Sequence, residues 1–125
     1  MPRNDTGPSQ RQLQVGEELR HNIVQLLQRG GFDDAALVDG GRITVSEVRI
    51  SPDLKNATVY VLTLGGEDME RVLPALNAAA SQFQKEIGKK LRLKFIPRLR
   101  FVEDTMFESA GRIETLLHEI KREKK

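Results

Sequence analysis

Residues 43–64, ITVSEVRISPDLKNATVYVLTL, contain the pattern that decides the fold. Apolar residues alternate over 43–50 but slip by one position near 46–47, which predicts a strand carrying a β-bulge at that point. The Ser-Pro-Asp sequence at 51–53 has the chemistry of a tight turn. Residues 57–64 are rich in Val and Thr and predict a second strand. Because the connection is short, an antiparallel hairpin is the simplest pairing of the two strands.

A helix is predicted before this hairpin, because apolar residues recur there with the helical period. The stripe consists of Val15, Leu19, Ile23, Leu26 and Leu27. Ser9 is expected to cap the start of the helix, and Gly30 is expected to end it. Residues 32–42 are weakly patterned, so that 36–41 fits a short strand with a hairpin turn as well as it fits a plain loop.

After the hairpin, residues 69–91 keep one helical phase throughout, which predicts one continuous helix. Its apolar stripe consists of Met69, Leu73, Leu76, Ala80, Phe83, Ile87 and Leu91. Residues 78–81 carry almost no side-chain bulk. A ligand or another backbone could approach closely there, and tight packing of the helix on the sheet is the alternative.

Residues 91–102 alternate between apolar and basic side chains, as a strand with one buried face would. Pro97 is expected to divide a connecting segment from a true strand that begins near Arg98. The apolar set, predicted to point inward, is Leu91, Leu93, Phe95, Leu99 and Phe101.

Together these elements predict an α+β fold of one domain, in which helices cover one face of a three-stranded mixed sheet. The last strand is expected to run parallel to a hairpin strand after a right-handed crossover. We expect a disordered tail at 1–9, the folded domain at 10–120 and a charged tail at 121–125. A C-terminal helix is predicted within 112–125.

The composition excludes several classes of protein. The chain has 125 residues, a formal net charge of +2 and no Cys, so that disulfides and thiolate zinc sites are excluded. No apolar run approaches the roughly 18–20 residues that span a bilayer, and the N-terminus lacks the apolar stretch of a signal peptide. We therefore expect no membrane association.

Catalytic chemistry is not predicted. His21 and His118 lie on different predicted helices without a partner at ligand spacing, and the sequence has no phosphate-binding glycine loop. Glu103 and Asp104 could hold a divalent ion, but adjacent acids are common in turns. We expect no enzyme activity, no metal and no cofactor.

Basic residues are concentrated in one part of the sequence. Residues 85–100 contain a single acid, Glu86, and the following basic residues: Lys85, Lys89, Lys90, Arg92, Lys94, Arg98 and Arg100. Such segregation attracts polyanions, and phosphate neutralisation by Lys and Arg favours binding to RNA. Arg11 and Arg20 could extend the contact surface, and Ala79, Ala80 and Ser81 would let an RNA backbone come close. An ordinary solvated basic face and an adaptor for an acidic protein are the alternatives.

Two segments also carry a family resemblance. Residues 43–61 resemble the strand–turn–strand segment of bacterial ribosome-binding factor A, and residues 88–101, GKKLRLKFIPRLRF, match that family's G-K-x-x-R-L-R/K-x-x-P-x-L-x-F pattern. The N-terminal helix is also similar, and the resemblance covers roughly residues 10–117.

The resemblance implies a type II KH-like fold with the element order α-β-β-α-α-β. It implies an interruption of the long helix at 79–81, where Ser81 stands in place of the family's glycine. It further implies a non-catalytic, cytoplasmic and monomeric factor that binds the small (30S) ribosomal subunit and its 16S rRNA during late maturation, often linked to cold adaptation.

Overall fold

The computed structural model describes residues 7–105. Three helices and three strands follow in the order α1 (Gln10–Arg29), β1 (Ile43–Ile50), β2 (Asn56–Thr63), α2 (Met69–Ala78), α3 (Ala80–Lys90) and β3 (Arg98–Glu103). The predicted C-terminal helix, the charged tail and most of the predicted N-terminal tail lie outside the described residues.

The hairpin forms as predicted. β1 and β2 are antiparallel, and their register shifts between Val45 and Glu47, where the change of apolar phase predicted a bulge. The turn closes through Asp53, whose carboxylate accepts hydrogen bonds from the Ser51 hydroxyl at 2.6 Å and the Lys55 backbone N–H at 3.0 Å.

The third strand completes a mixed sheet of order β1-β2-β3, in which β3 runs parallel to β2. β3 begins at Arg98, directly after Pro97, as the sequence predicts. The fold class is therefore α+β, with the predicted KH-like element order over the described residues.

The helices cover one face of this sheet. Alternate residues of β2 and β3 are buried, and the core they form with α1, α2 and α3 includes Leu19, Val59 and Phe83. α1 begins with a capping box between Ser9 and Gln12, which satisfies two backbone N–H groups at its start.

One open alternative is decided and two expectations are corrected. Of the two structures considered for residues 36–41, the short strand is not formed; two 3₁₀ turns lie there, at Ala35–Leu37 and Gly40–Arg42. The long helix is not continuous, because Ala79 (φ −90°, ψ 2°) separates α2 from α3. Phe95 does not point into the core, since its side chain is 67% exposed.

The interruption leaves the apolar stripe in phase because only one residue departs from helical geometry. The Ala79 N–H still reaches the carbonyl oxygens of Ala75 at 3.0 Å and Leu76 at 3.1 Å. Its φ is negative, so that the break requires no glycine, and the Ser81 substitution does not prevent it.

Candidate nucleic-acid interface

α3 presents three exposed lysines to solvent. Phe83 and Ile87 anchor the helix to the sheet, and the Phe83 ring lies 5.3 Å from that of Phe101 on β3. Lys85 is two residues from each anchor, about 200° around the helix, so that it points away from the sheet. Lys89 and Lys90 lie in the last turn, where the helix dipole favours cations.

β3 presents two arginines on the opposite side of the domain. Leu99 and Phe101 are buried toward the helices, and Arg98 and Arg100 are exposed on the other face of the sheet. The register places Arg100 beside Thr58 of β2, which in turn pairs with Arg49 of β1. Three strands thus bring two arginines onto one row of the uncovered face.

The connection between α3 and β3 joins these two groups. Arg92 and Lys94 are exposed there, and Leu91 and Leu93 are half-buried against the core. Because β3 is an edge strand, the cations continue around the edge of the sheet and do not share one flat face. We call this set the basic band; it consists of Lys85, Lys89, Lys90, Arg92, Lys94, Arg98 and Arg100.

The acids within residues 7–105 neutralise little of the band. Lys89 approaches Glu86 at 3.5 Å, and the same carboxylate lies 3.7 Å from Arg29. Within residues 7–105, Lys89 is the only member of the band in an ion pair. The field of the other cations therefore extends into solvent, where it attracts polyanions.

The two α1 arginines predicted to extend the contact surface, Arg11 and Arg20, differ in their surroundings. Arg11 is exposed in the first turn and lines a pocket together with Lys94, so that the structure brings it to the band. Arg20 lies nine residues further, about 13 Å along the helix axis. It binds Glu17 at 2.7 Å, and this hydrogen bond lowers the pKa of Glu17 and raises the pKa of Arg20.

The small residues at the helix break are only partly accessible. Ala79 and Ala80 are half-buried and pack against the core, whereas Ser81 is exposed. Gln82, at the start of α3, donates a long, exposed hydrogen bond of 3.3 Å to the Gly31 carbonyl. Of the three residues predicted to admit an RNA backbone, Ser81 contributes the accessible surface.

Sequence reasoning missed two residues of this region, Lys55 and Phe95. Both line the same pocket as Arg11. This pocket forms where the start of α1, the β1–β2 turn and the connection before Pro97 meet. The alternation across 91–102 placed Phe95 inward, but that rule holds only within a strand. Pro97 could have indicated that Phe95 lies outside the strand, since it marks where the strand begins.

Other chemistry is not evident in the described part of the chain. Residues 7–105 contain no group of three His, Cys, Asp or Glu side chains that could hold a metal ion. Asp104, one of the two acids considered for an ion, accepts a hydrogen bond from the Ser46 hydroxyl. No helix within 7–105 is long and apolar enough to cross a membrane.

The fold and the band define a small KH-like α+β domain whose surface suits a polyanion. The sequence model described as Ribosome-binding factor A matches residues 11–117, which is most of the chain. The chain therefore belongs to the ribosome-binding factor A family.

Individual relatives agree with this assignment. Ribosome-binding factor A of Paramagnetospirillum magneticum is 48% identical, with 98% of this chain and 87% of the relative covered. The crystal structure of ribosome-binding factor A from Thermus thermophilus superposes with a TM-score of 0.62 at 25% identity, covering 74% of this chain and 94% of that one.

The Thermus thermophilus factor has also been placed in a ribosomal complex. A homology model of the Thermus thermophilus factor, fitted into the cryo-EM map of a 30S complex, matches with a TM-score of 0.53 at 25% identity. This match covers 78% of the present chain and 94% of the Thermus thermophilus chain.

Proposed function

We propose that this protein binds the small (30S) ribosomal subunit through its 16S rRNA during late maturation, as a cytoplasmic, monomeric and non-catalytic factor. The basic band carries the proposal, because its cations are exposed on three successive structural elements and, among the described residues, only Lys89 of the band takes part in an ion pair. The family's name and the 30S complex of the Thermus thermophilus relative support the choice of partner.

The geometry of the band favours recognition of shape. Lysines on α3 and arginines on β3 point to opposite sides of the sheet edge, so that they cannot all contact one flat surface. They suit a concave RNA surface, or two RNA segments that enclose the edge of the domain. Phosphate contacts of this kind fix position and orientation and do not read base sequence.

Such binding requires no chemical step and no cofactor. By holding rRNA segments on both sides of β3, the protein would stabilise one conformation of the immature subunit until a later step displaces it. Arg11 would extend the contact from α1, and Ser81 would admit RNA backbone at the helix break. Arg20 would contribute less, because Glu17 offsets its charge.

The proposal is tested by neutralising two band cations, Lys90→Gln with Arg92→Gln. Both side chains are exposed and neither takes part in an ion pair within 7–105, so that the fold should persist. We expect binding to purified 30S subunits to weaken by about tenfold or more, since two phosphate contacts are lost. Sedimentation with labelled protein measures the affinity.

The matched control is Arg29→Gln with Arg71→Gln, which changes the net charge equally but lies outside the band. Arg71 is exposed on α2, and Arg29 makes only a surface ion pair of 3.7 Å, a kind that contributes little stability. The control should bind 30S subunits as the wild type does. Equal losses in both variants would show that net charge, and not the band, determines binding.

A basic adaptor for an acidic protein is the alternative, and nuclease treatment separates it from RNA binding. Association with small subunits that persists after accessible rRNA is digested, and that still requires Lys90 and Arg92, would favour a ribosomal or other protein as the partner. Loss of association after digestion is the result that the proposed function predicts.

A further inference from the structure

A pocket of about 260 Å³ opens where three distant segments of the chain meet. Its apolar lining comes from α1, from the β1–β2 turn and from the connection before β3. The apolar residues are Val15, Leu54, Leu93, Phe95 and Pro97. The volume is slightly below the roughly 300–1,000 Å³ of sites for drug-sized ligands, so that the pocket suits a smaller group.

Phe95 forms an exposed aromatic wall of this pocket. Its side chain is 67% exposed, whereas the neighbouring Leu93 is half-buried and Pro97 is buried. The ammonium group of Lys94 lies 5.8 Å from the centre of the Phe95 ring, within the range of a cation–π contact. An aromatic face is thus presented to solvent directly beside a positive charge.

Leu54 supports the same pocket from the turn. Its φ is 62°, a left-handed conformation that is strained for a bulky residue without a glycine's freedom. The Leu54 N–H donates a hydrogen bond to the Ser51 carbonyl at 2.8 Å, and the side chain packs against the core. The turn therefore holds an apolar side chain in the pocket despite the strain.

The rim of the pocket is positively charged. Arg11, Lys55 and Lys94 are exposed there, and Asp53 is the one acid among the lining residues. The hydrogen bonds that Ser51 and Lys55 donate to Asp53 lower the pKa of its carboxyl, so that the group is ionised. With three cations and one anion, the rim carries a net positive charge around the apolar lining of the pocket.

We infer that this pocket binds one unpaired nucleotide of RNA, with the base against Phe95 and the adjoining phosphates at Arg11, Lys55 and Lys94. The apolar lining, together with the exposed face of the Phe95 ring, suits a base. The three cations at the rim suit the phosphates on either side of that base. The inference rests on the proposed RNA binding and adds a site for a base to a surface that otherwise contacts phosphates.

The test uses a single-stranded RNA hexamer with a central 2-aminopurine, whose fluorescence falls when the base stacks. Binding to the full chain should quench the fluorescence. Phe95→Ala should abolish the quenching and weaken hexamer binding by roughly 5- to 150-fold, the range expected for loss of one aromatic stacking partner. Phe95→Tyr keeps the ring and should retain both properties.

Two binding controls and one stability measurement separate stacking from other effects. Leu64→Ala removes another exposed apolar side chain, 90% exposed and outside the pocket, and should leave hexamer binding unchanged. Adding the protein should not change the fluorescence of the same hexamer annealed to its complement, because the paired base is already stacked within the duplex and cannot enter the pocket. Phe95→Ala should also retain the wild-type unfolding midpoint, since its ring is mostly exposed.

The results distinguish this inference from the proposed function. If Phe95→Ala changes neither the affinity nor the quenching, while Lys90→Gln with Arg92→Gln still weakens 30S binding, the pocket does not bind a nucleotide and the proposed function stands. If the wild-type chain is found to self-associate, and Phe95→Ala abolishes that association while hexamer binding is unchanged, a second copy of the chain occupies the pocket. Either result overturns the inference.

Discussion

Gly16 sets the distance between α1 and the sheet. A Cβ at this position would lie 2.8 Å from the backbone carbonyl oxygen of Val48 on β1, and a backbone oxygen cannot yield without moving the strand. The helix therefore packs more closely on β1 than any larger residue would allow. This contact positions the start of α1, and with it Arg11, beside the β1–β2 turn.

We predict that Gly16→Ala destabilises the protein. The clash should lower the free energy of unfolding by about 1–3 kcal/mol, which outweighs the gain of up to about 1 kcal/mol in helix propensity. Urea unfolding followed by circular dichroism measures the change. Gly88→Ala on α3 is the matched control, because its Cβ would meet only the Ile96 side chain at 3.5 Å.

The control should be stabilised by about 0.5–1 kcal/mol, since alanine restricts the unfolded chain and favours the helix. A stabilising Gly16→Ala would show that α1 can shift on the sheet without cost, and that the close contact does not fix its position.

Among the elements, the edge strand β3 is protected by side chains of the helices. Asn77 of α2 accepts a hydrogen bond from the Phe101 N–H at 2.8 Å and donates one to the Phe101 carbonyl at 2.9 Å. Gln84 of α3 accepts from the Leu99 N–H at 3.1 Å. These side chains occupy the positions that a further strand would use, which protects the edge from pairing with other chains.

We predict that Asn77→Ala lowers the free energy of unfolding by about 1–3 kcal/mol, because two backbone groups of Phe101 lose their partners. It should also increase aggregation on mild heating, measured by light scattering. Gln82→Ala is the control, since its bond to the Gly31 carbonyl is long and exposed. Equal behaviour of the two variants would contradict the role assigned to Asn77.

Most elements could be predicted from the sequence because their signals are local. The bulge in β1 follows from a slip of apolar phase, and the start of β3 follows from Pro97. The break at Ala79 could not be found in the periodicity, because one residue with ψ near 0° leaves the apolar stripe in phase. The family resemblance indicated it instead.

The pocket could not be predicted for a different reason. Its lining comes from three segments that are distant in sequence, and no pattern within one segment shows that Arg11, Lys55 and Phe95 meet. The basic band was more accessible to prediction, because its cations lie within 16 consecutive residues. Their distribution around the edge of β3 required the structure.

At the scale of the whole molecule, charge placement matters more than total charge. The net charge is only +2, yet the band places cations on both sides of one sheet edge. The acids of the described residues include Glu17, Glu47 and Asp68, which form ion pairs with arginines outside the band. The protein thus combines a small net charge with an electrostatic field that is strongest on the side of the basic band.

The salt dependence of 30S binding tests the central claim most directly. If about five phosphates are neutralised, log affinity should fall with log salt at a slope of roughly −3.5 to −4.5, and Lys90→Gln with Arg92→Gln should make the slope shallower by about 1.4–1.8. A slope near zero, or one that these substitutions leave unchanged, would show that the band does not hold the protein on RNA.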